Sequence, residues 1–348
     1  MALEHTCPTM IAERLTAQLL AGPPASDPVT VTERLLAVQG QDPRGARLAI
    51  RARTTGLSVA DVDRALTEDR SLLITWLNRG TLHLVRREDY PWLQALTTPP
   101  LRTGNARRLA QEGVTPDAAE RGVAVIARTL AEEGPLTRVQ LRERIDAAGV
   151  RTEGQALVHL LMLACLRGVA VRGPMIGRQH AYVLVRDWLG ESGPVDHDCA
   201  LAELARRYLV GHGPAGDRDL AKWAGLPLRD ARAGLNAIAA ELDQREDGLV
   251  DIAGRAAPAE LPPPRLLGSF DPVLLGWASR EWLLDSRKAV ITVNGLFRPF
   301  ALIDARAVAT WSMPAGEVVL DPFERLTRKD AAALRDDALD VMRYLGER

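Results

Sequence analysis

The sequence predicts an α+β fold: tandem winged-helix (helix-turn-helix) units followed by a C-terminal β-rich segment. Three observations point there. The middle of the chain holds an internal repeat, with Gly134-Pro135 followed by Leu141 and Gly213-Pro214 followed by Leu220. In each copy an amphipathic helical pattern comes before the Gly-Pro pair, and a short and then a longer helical pattern come after it. A hairpin-like stretch, Val169 to Val185, follows the first copy, and three helices with a β wing make the winged-helix plan. Beyond the stiff, proline-rich stretch Ala256 to Pro264, β-like runs replace the helical ones. Two plain three-helix bundles are the competing reading of the repeat.

Taken in order, Thr30 to Glu33 has capping-box spacing and predicts a short helix through Leu35, Leu36 and Val38, ended by Gly40 and Pro43. A second helix follows from Arg44. Ser58 to Asp61 marks another helix start. Leu72 to Val85 predicts a small hairpin around Asn78-Arg79-Gly80. The repeats place helices over Ala118–Glu133, Arg138–Ala148 and Gln155–Arg167, then over Cys199–Gly211, Asp217–Ala224 and Arg229–Leu242. The last segment predicts strands at Ala289–Val293, Phe297–Asp304 and Ala307–Trp311, with a hairpin turn at Asn294-Gly295. An acidic helix, Arg328 to Leu345, closes the chain. The expected units are 1–115, 116–190, 191–260 and 261–348.

The 348 residues are 47 % hydrophobic and 26 % charged, the balance of a chain with a real core. No apolar run approaches the ~20 residues of a membrane span, and residues 1–9 do not read as a signal peptide, so a cytoplasmic protein is expected. Three widely spaced cysteines do not form a disulfide framework. Ligand spacing for a metal is absent, as is a phosphate-binding glycine loop, so no cofactor is expected. The formal net charge is −1, yet the first third is locally basic. Arg44, Arg47 and Arg51 fall on one helical face, Arg79 lies in the first hairpin, and Leu101 to Arg108 holds three arginines without an acid. Acids gather at the other end, at Asp330, Asp336, Asp337 and Asp340.

Several segments carry a resemblance. Residues 34–44 (RLLAVQGQDPR), 75–85 (TWLNRGTLHLV), 266–276 (LLGSFDPVLLG), 295–299 (GLFRP) and 308–311 (VATW) resemble signatures of the AlkZ/YcaQ family of winged-helix DNA glycosylases. They occur in order and span nearly the whole chain. The resemblance implies three tandem winged-helix units shaping a basic surface for duplex DNA, and excision of alkylated bases. It also implies that two glutamines separated by one residue, matched here by Gln39 and Gln41, are catalytic, as in the AlkZ branch; in the YcaQ branch the second position is Asp. The residue between them is usually apolar and here is Gly40. The family also uses a β-hairpin, matched first by Val290–Ile303 and second by the Val169–Val185 wing. The expected DNA contacts are therefore Arg44, Arg47, Arg51, Arg79, Asn294, Gly295 and Arg298.

The chemistry agrees with this. A purine alkylated at N7 or N3 is cationic and departs neutral, so the enzyme must chiefly place a water and favour an oxocarbenium-like transition state. A glutamine carbonyl accepts from water and its NH₂ donates to sugar, phosphate or base. No lysine lies near the motif, which predicts hydrolysis without a Schiff-base step. Taken on residues alone, Gln39 and Gln41 read as polar residues hydrogen-bonding exposed carbonyls at a helix end, and only the resemblance turns the reading to catalysis. Asp42 suits holding a water or favouring a cationic transition state by its charge, and equally a helix cap. The expected partner is duplex DNA carrying alkylated bases, bound by a monomer, in base-excision repair or self-resistance to a genotoxin. The alternative is a non-catalytic winged-helix transcriptional regulator.

Overall fold

A computed structural model of the chain describes residues 8–285, 288–292 and 295–347. It divides into two compact units: residues 63–200, and the residues up to 62 together with those from 201 onward.

In the 63–200 unit the first repeat builds a winged helix. Helix Pro116–Glu133 leads into the short strand Leu136–Thr137, helices Arg138–Ala147 and Ala156–Leu166 follow, and strands Ala170–Ile176 and Gln179–Leu184 form the wing. Thr137 starts its helix through a capping box: its hydroxyl accepts the Gln140 N–H, and the Gln140 side chain accepts the Thr137 N–H. Helix Ala156–Leu166 is buried along nearly its whole length, so it is core, as its apolar sequence predicts, and presents no sequence-reading face. The predicted hairpin around Asn78 is strands Leu72–Leu77 and Thr81–Arg86, joined by a 3₁₀ turn. It extends the wing into one antiparallel sheet through Ile74, which pairs with Arg172.

The second repeat gives the same plan in the other unit. Helix His197–His212 precedes Asp217–Ala224 and Leu228–Ala237. The last helix stops at Ala237 rather than Leu242, because Leu242 begins a strand that pairs with Ile252. That strand and Val250–Ile252 are a two-stranded wing unseen in the sequence, and an isolated bridge ties Ala215 to Val250. Tyr208, His212, Trp223 and Trp277 pack together beneath it, with the Tyr208 and His212 rings stacked 4.7 Å apart.

The C-terminal segment is a four-stranded antiparallel sheet in the order Val319–Pro322, Arg306–Ser312, Phe300–Ile303, Arg265–Leu267. Helix Arg328–Leu345, capped by Thr327, covers it with Leu334 and Val341. Leu48 joins the same core, so the arginine-bearing helix Pro43–Arg51 is seated on this sheet. Two predictions are corrected. The helix expected from Thr30 is Pro28–Leu35, capped by Asp27 rather than by Thr30, and it ends at Leu36, whose φ is 63°; a helix not predicted from the sequence, Pro8–Ala17, precedes it. The described part of the strand expected at 289–293 is not a strand: Lys288–Val290 is a 3₁₀ turn and Ile291 makes an isolated bridge to Phe297, while Val293 lies outside the described residues. Among the described residues no helix is long and apolar enough to cross a membrane, and no cluster of His, Cys, Asp and Glu is placed to hold a metal.

Candidate active site

The two glutamines sit where the chain leaves one helix and enters the next. Leu36 turns the backbone out of helix Pro28–Leu35, and Val38 and Gln39 run extended and buried. Asp42 is also extended, and its Oδ1 accepts the Arg44 N–H at 3.0 Å, so it caps the helix that Pro43 opens. Of the two roles its sequence position allows, the cap is the one observed. Gln41 is exposed. Gln39 is 6 % exposed, and its Oε1 has no hydrogen-bond partner among the described residues. A buried carbonyl without a donor is rare in a folded chain and calls for an explanation.

This helix start is held by the residues of the 266–276 motif. A Cβ on Gly45 would lie 2.3 Å from the Ser269 carbonyl oxygen, and one on Gly268 would lie 3.0 Å from the Gly45 Cα, so the two backbones touch. Just past the far end of that helix, the fully buried Arg53 forks onto Asp271 at 2.8 and 2.9 Å and also donates to the Gln18 carbonyl and side chain. Asp271 in turn caps helix Pro272–Leu275 by accepting the Val273 N–H. Every strong donor of this guanidinium is thus satisfied in a dry environment, which fixes the helix axis against the loop.

The same loop carries the 295–299 motif to the site. Phe270, with a φ of 57°, sets its ring 5.4 Å from that of Phe297, and the Arg280 guanidinium lies over Phe297 at 5.3 Å. The turn is closed by the Arg298 N–H donating to the Val290 carbonyl. Three separated motifs therefore meet through Gly45, Ser269, Phe270 and Phe297. Phe270, Arg280, Arg53 and Gln18 were not singled out in the sequence. Aromatic residues are only 4 % of the chain, and the Phe in each of the two motifs is the one local signal that could have found this pair.

The arginine stripe needs correction. Arg44 is exposed, as a DNA contact requires, but Arg47 is buried and donates to the Pro43 carbonyl. Arg51 is 1 % exposed, donates to Leu266 and Asp337, and pairs with Asp340 at 3.2 Å. Helical spacing places the three on one side, but strand Arg265–Leu267 and the acidic closing helix cover its far end. The acids that offset the basic first third neutralise Arg51 directly. Arg79 is half-buried in the 63–200 unit, with a φ of 54°. Gly295 and Arg298 are exposed, while Asn294 lies outside the described residues. His83 is a core histidine: burial pushes its pKa down to about 3 and its Nδ1 bonds the Thr81 carbonyl at 3.0 Å.

The model of the family described as DNA glycosylase AlkZ-like matches residues 32–344. The chain belongs to the AlkZ-like DNA glycosylases. Among characterised proteins it is 30 % identical to an "Interstrand DNA cross-link repair glycosylase" of Streptomyces sahachiroi, over 93 % of this chain and 91 % of the relative. Among solved structures it superposes on Streptomyces sahachiroi DNA glycosylase AlkZ with a TM-score of 0.77 and 26 % identity, covering 99 % of this chain and 98 % of that one. As an AlkZ-like protein it is a DNA glycosylase, an enzyme that cleaves the bond between base and sugar, and its mixed helix-and-sheet architecture with winged helices is that of the family. DNA is its substrate.

Proposed function

We propose that this glycosylase hydrolyses the N-glycosidic bond of purines alkylated at N7 or N3 in duplex DNA, including purines held in interstrand cross-links, and that Gln39 and Gln41 are its catalytic pair. The cross-link part of the reading rests on the activity named for the Streptomyces sahachiroi relative. The observation that carries the catalytic part is the buried Gln39 Oε1 without a donor. A buried carbonyl to which no described protein group donates is preorganised to accept from a water, which in turn presents its oxygen to C1′. Gln41, exposed beside it, is free to hold sugar or phosphate. The Asp42 carboxylate, anchored by the helix cap, places a fixed negative charge next to the sugar that becomes cationic.

The step balances without a cofactor. The water oxygen bonds to C1′ and the C1′–N bond breaks. Its electron pair leaves with the base, cancelling the positive charge that alkylation put there, and the water proton passes to solvent. Of the two hairpin candidates, the Ala170–Ile176/Gln179–Leu184 wing forms a two-stranded ladder with a register shift between Arg172 and Met175, and its tip exposes Ile176 at 43 % beside Arg178. We assign it the DNA-facing hairpin role. The reading keeps three winged-helix units at 1–115, 116–190 and 191–260 before the β-rich segment 261–348, with the enzyme acting as a monomer.

The test is a substrate panel: duplexes with one N7-alkylguanine, one N3-alkyladenine or one N7–N7 cross-link, scored for free base and for unhooked strands. Release of base leaving an intact abasic strand is expected. Strand cleavage accompanying release overturns the purely hydrolytic mechanism, and sequence-selective binding of unmodified duplex without release favours the regulator.

A further inference from the structure

Helix Pro99–Gln111 carries a face that the fold does not use. It buries only Asn105 and Leu109. It is clamped on one side to helix Ala156–Leu166 by polar bonds: Asn105 exchanges hydrogen bonds with His159, and Thr98 and Arg102 donate to the Leu166 carbonyl. Its other side exposes Thr103, Gly104, Ala106, Arg107 and Arg108. Between residues 99 and 111 there is no acid. The nearest acids are engaged elsewhere, since Glu120 pairs with Arg167 and Glu112 accepts the Gln155 N–H. Arg107 has no ion-pair or hydrogen-bond partner among the described residues.

Gly104 adds a second, independent sign. It sits mid-helix, where glycine destabilises relative to alanine. Neither usual reason for keeping one applies: its φ is not positive, and a Cβ there would meet nothing within 4 Å. A glycine unexplained by the chain's own packing, flanked by cations on an exposed face, is explained by another backbone coming close.

We propose that this face is a phosphate-contact surface for the substrate duplex, with Arg107 and Arg108 neutralising successive phosphates and Gly104 letting the sugar–phosphate backbone approach the helix. This rests on the reading of duplex DNA as the substrate. It adds a contact surface in the 63–200 unit that the glutamine motif does not supply. Arginine forks match phosphate geometry, and contacts of this kind position the enzyme on any sequence.

Fluorescence anisotropy of a labelled undamaged duplex, titrated across about 50–200 mM salt, tests it. The full-length Arg107→Ala/Arg108→Ala protein is expected to bind about tenfold more weakly at the low-salt end, and the slope of log affinity against log salt is expected to shrink by about 2, one per lost phosphate contact. Gly104→Leu is expected to lower affinity severalfold with Tm unchanged or raised, a combination that a merely structural residue does not give. Wild-type affinity and slope in both variants overturn the surface and leave the glycosylase reading standing. A wild-type protein that binds neither this duplex nor the same duplex carrying an N7-alkylguanine overturns both.

Discussion

Gln39 and Arg53 are two buried polar residues with opposite bookkeeping. Arg53 is matched donor for acceptor by Asp271, Gln18 and Ala49, whereas Gln39 keeps an acceptor empty. The first is structural, so Arg53→Met should destabilise the fold by about 3–5 kcal/mol in urea unfolding, because Asp271 is then left charged and unpaired in the interior. His83 and His212 act on stability through protons. Burial lowers each from about 6.5 to about 3, so below pH 6.5 the unfolded chain takes up protons that the folded chain refuses. Stability is complete above that pH and should fall by about 1.4 kcal/mol per pH unit for each histidine as pH drops toward 3. Unfolding of His212→Phe, compared with wild type at pH 7 and pH 5, should show about half of that loss removed.

At the scale of elements, the junction between helix Pro43–Arg51 and the Gly268–Asp271 loop decides where the glutamines stand. Gly45→Ala drives a methyl into the Ser269 carbonyl and should destabilise by about 1–3 kcal/mol while slowing base release disproportionately. Gly104→Ala, in open space, should raise Tm instead. These two glycines look alike in the sequence, and only their surroundings separate them. Much of the rest was legible. The Gly-Pro repeat marked both sets of three helices, because the 3.6-residue apolar period and the turn pair are local signals. The closing helix runs Arg328–Leu345 as read, and the Asn78-Arg79-Gly80 turn joins the strands expected around it. What local spacing missed depends on partners far along the chain. Arg51 belongs to Asp337, Gly45 to Ser269 and Phe270 to Phe297, and a helical wheel shows none of these. Asn294-Gly295 suggested a regular hairpin, but residues 288–290 coil into a 3₁₀ turn and leave only one bridge.

Across the whole molecule, a net charge near zero conceals a division of labour. Some arginines are spent on the fold, as Arg51 and Arg53 are, and others stay in solvent, as Arg44, Arg107 and Arg298 do. DNA affinity should therefore depend on the second set and fall steeply with salt, despite a chain that is formally acidic. The glutamine motif, by contrast, should govern the chemical step and not the docking. The most direct test is single-turnover base release from a duplex carrying one N7-alkylguanine, with enzyme in excess, comparing wild type with Gln39→Ala and Gln41→Ala and measuring duplex affinity on the same proteins. Release slowed by about 100-fold or more with affinity preserved is the predicted result. Release at the wild-type rate in both variants would contradict the assignment of the glutamines as the catalytic pair.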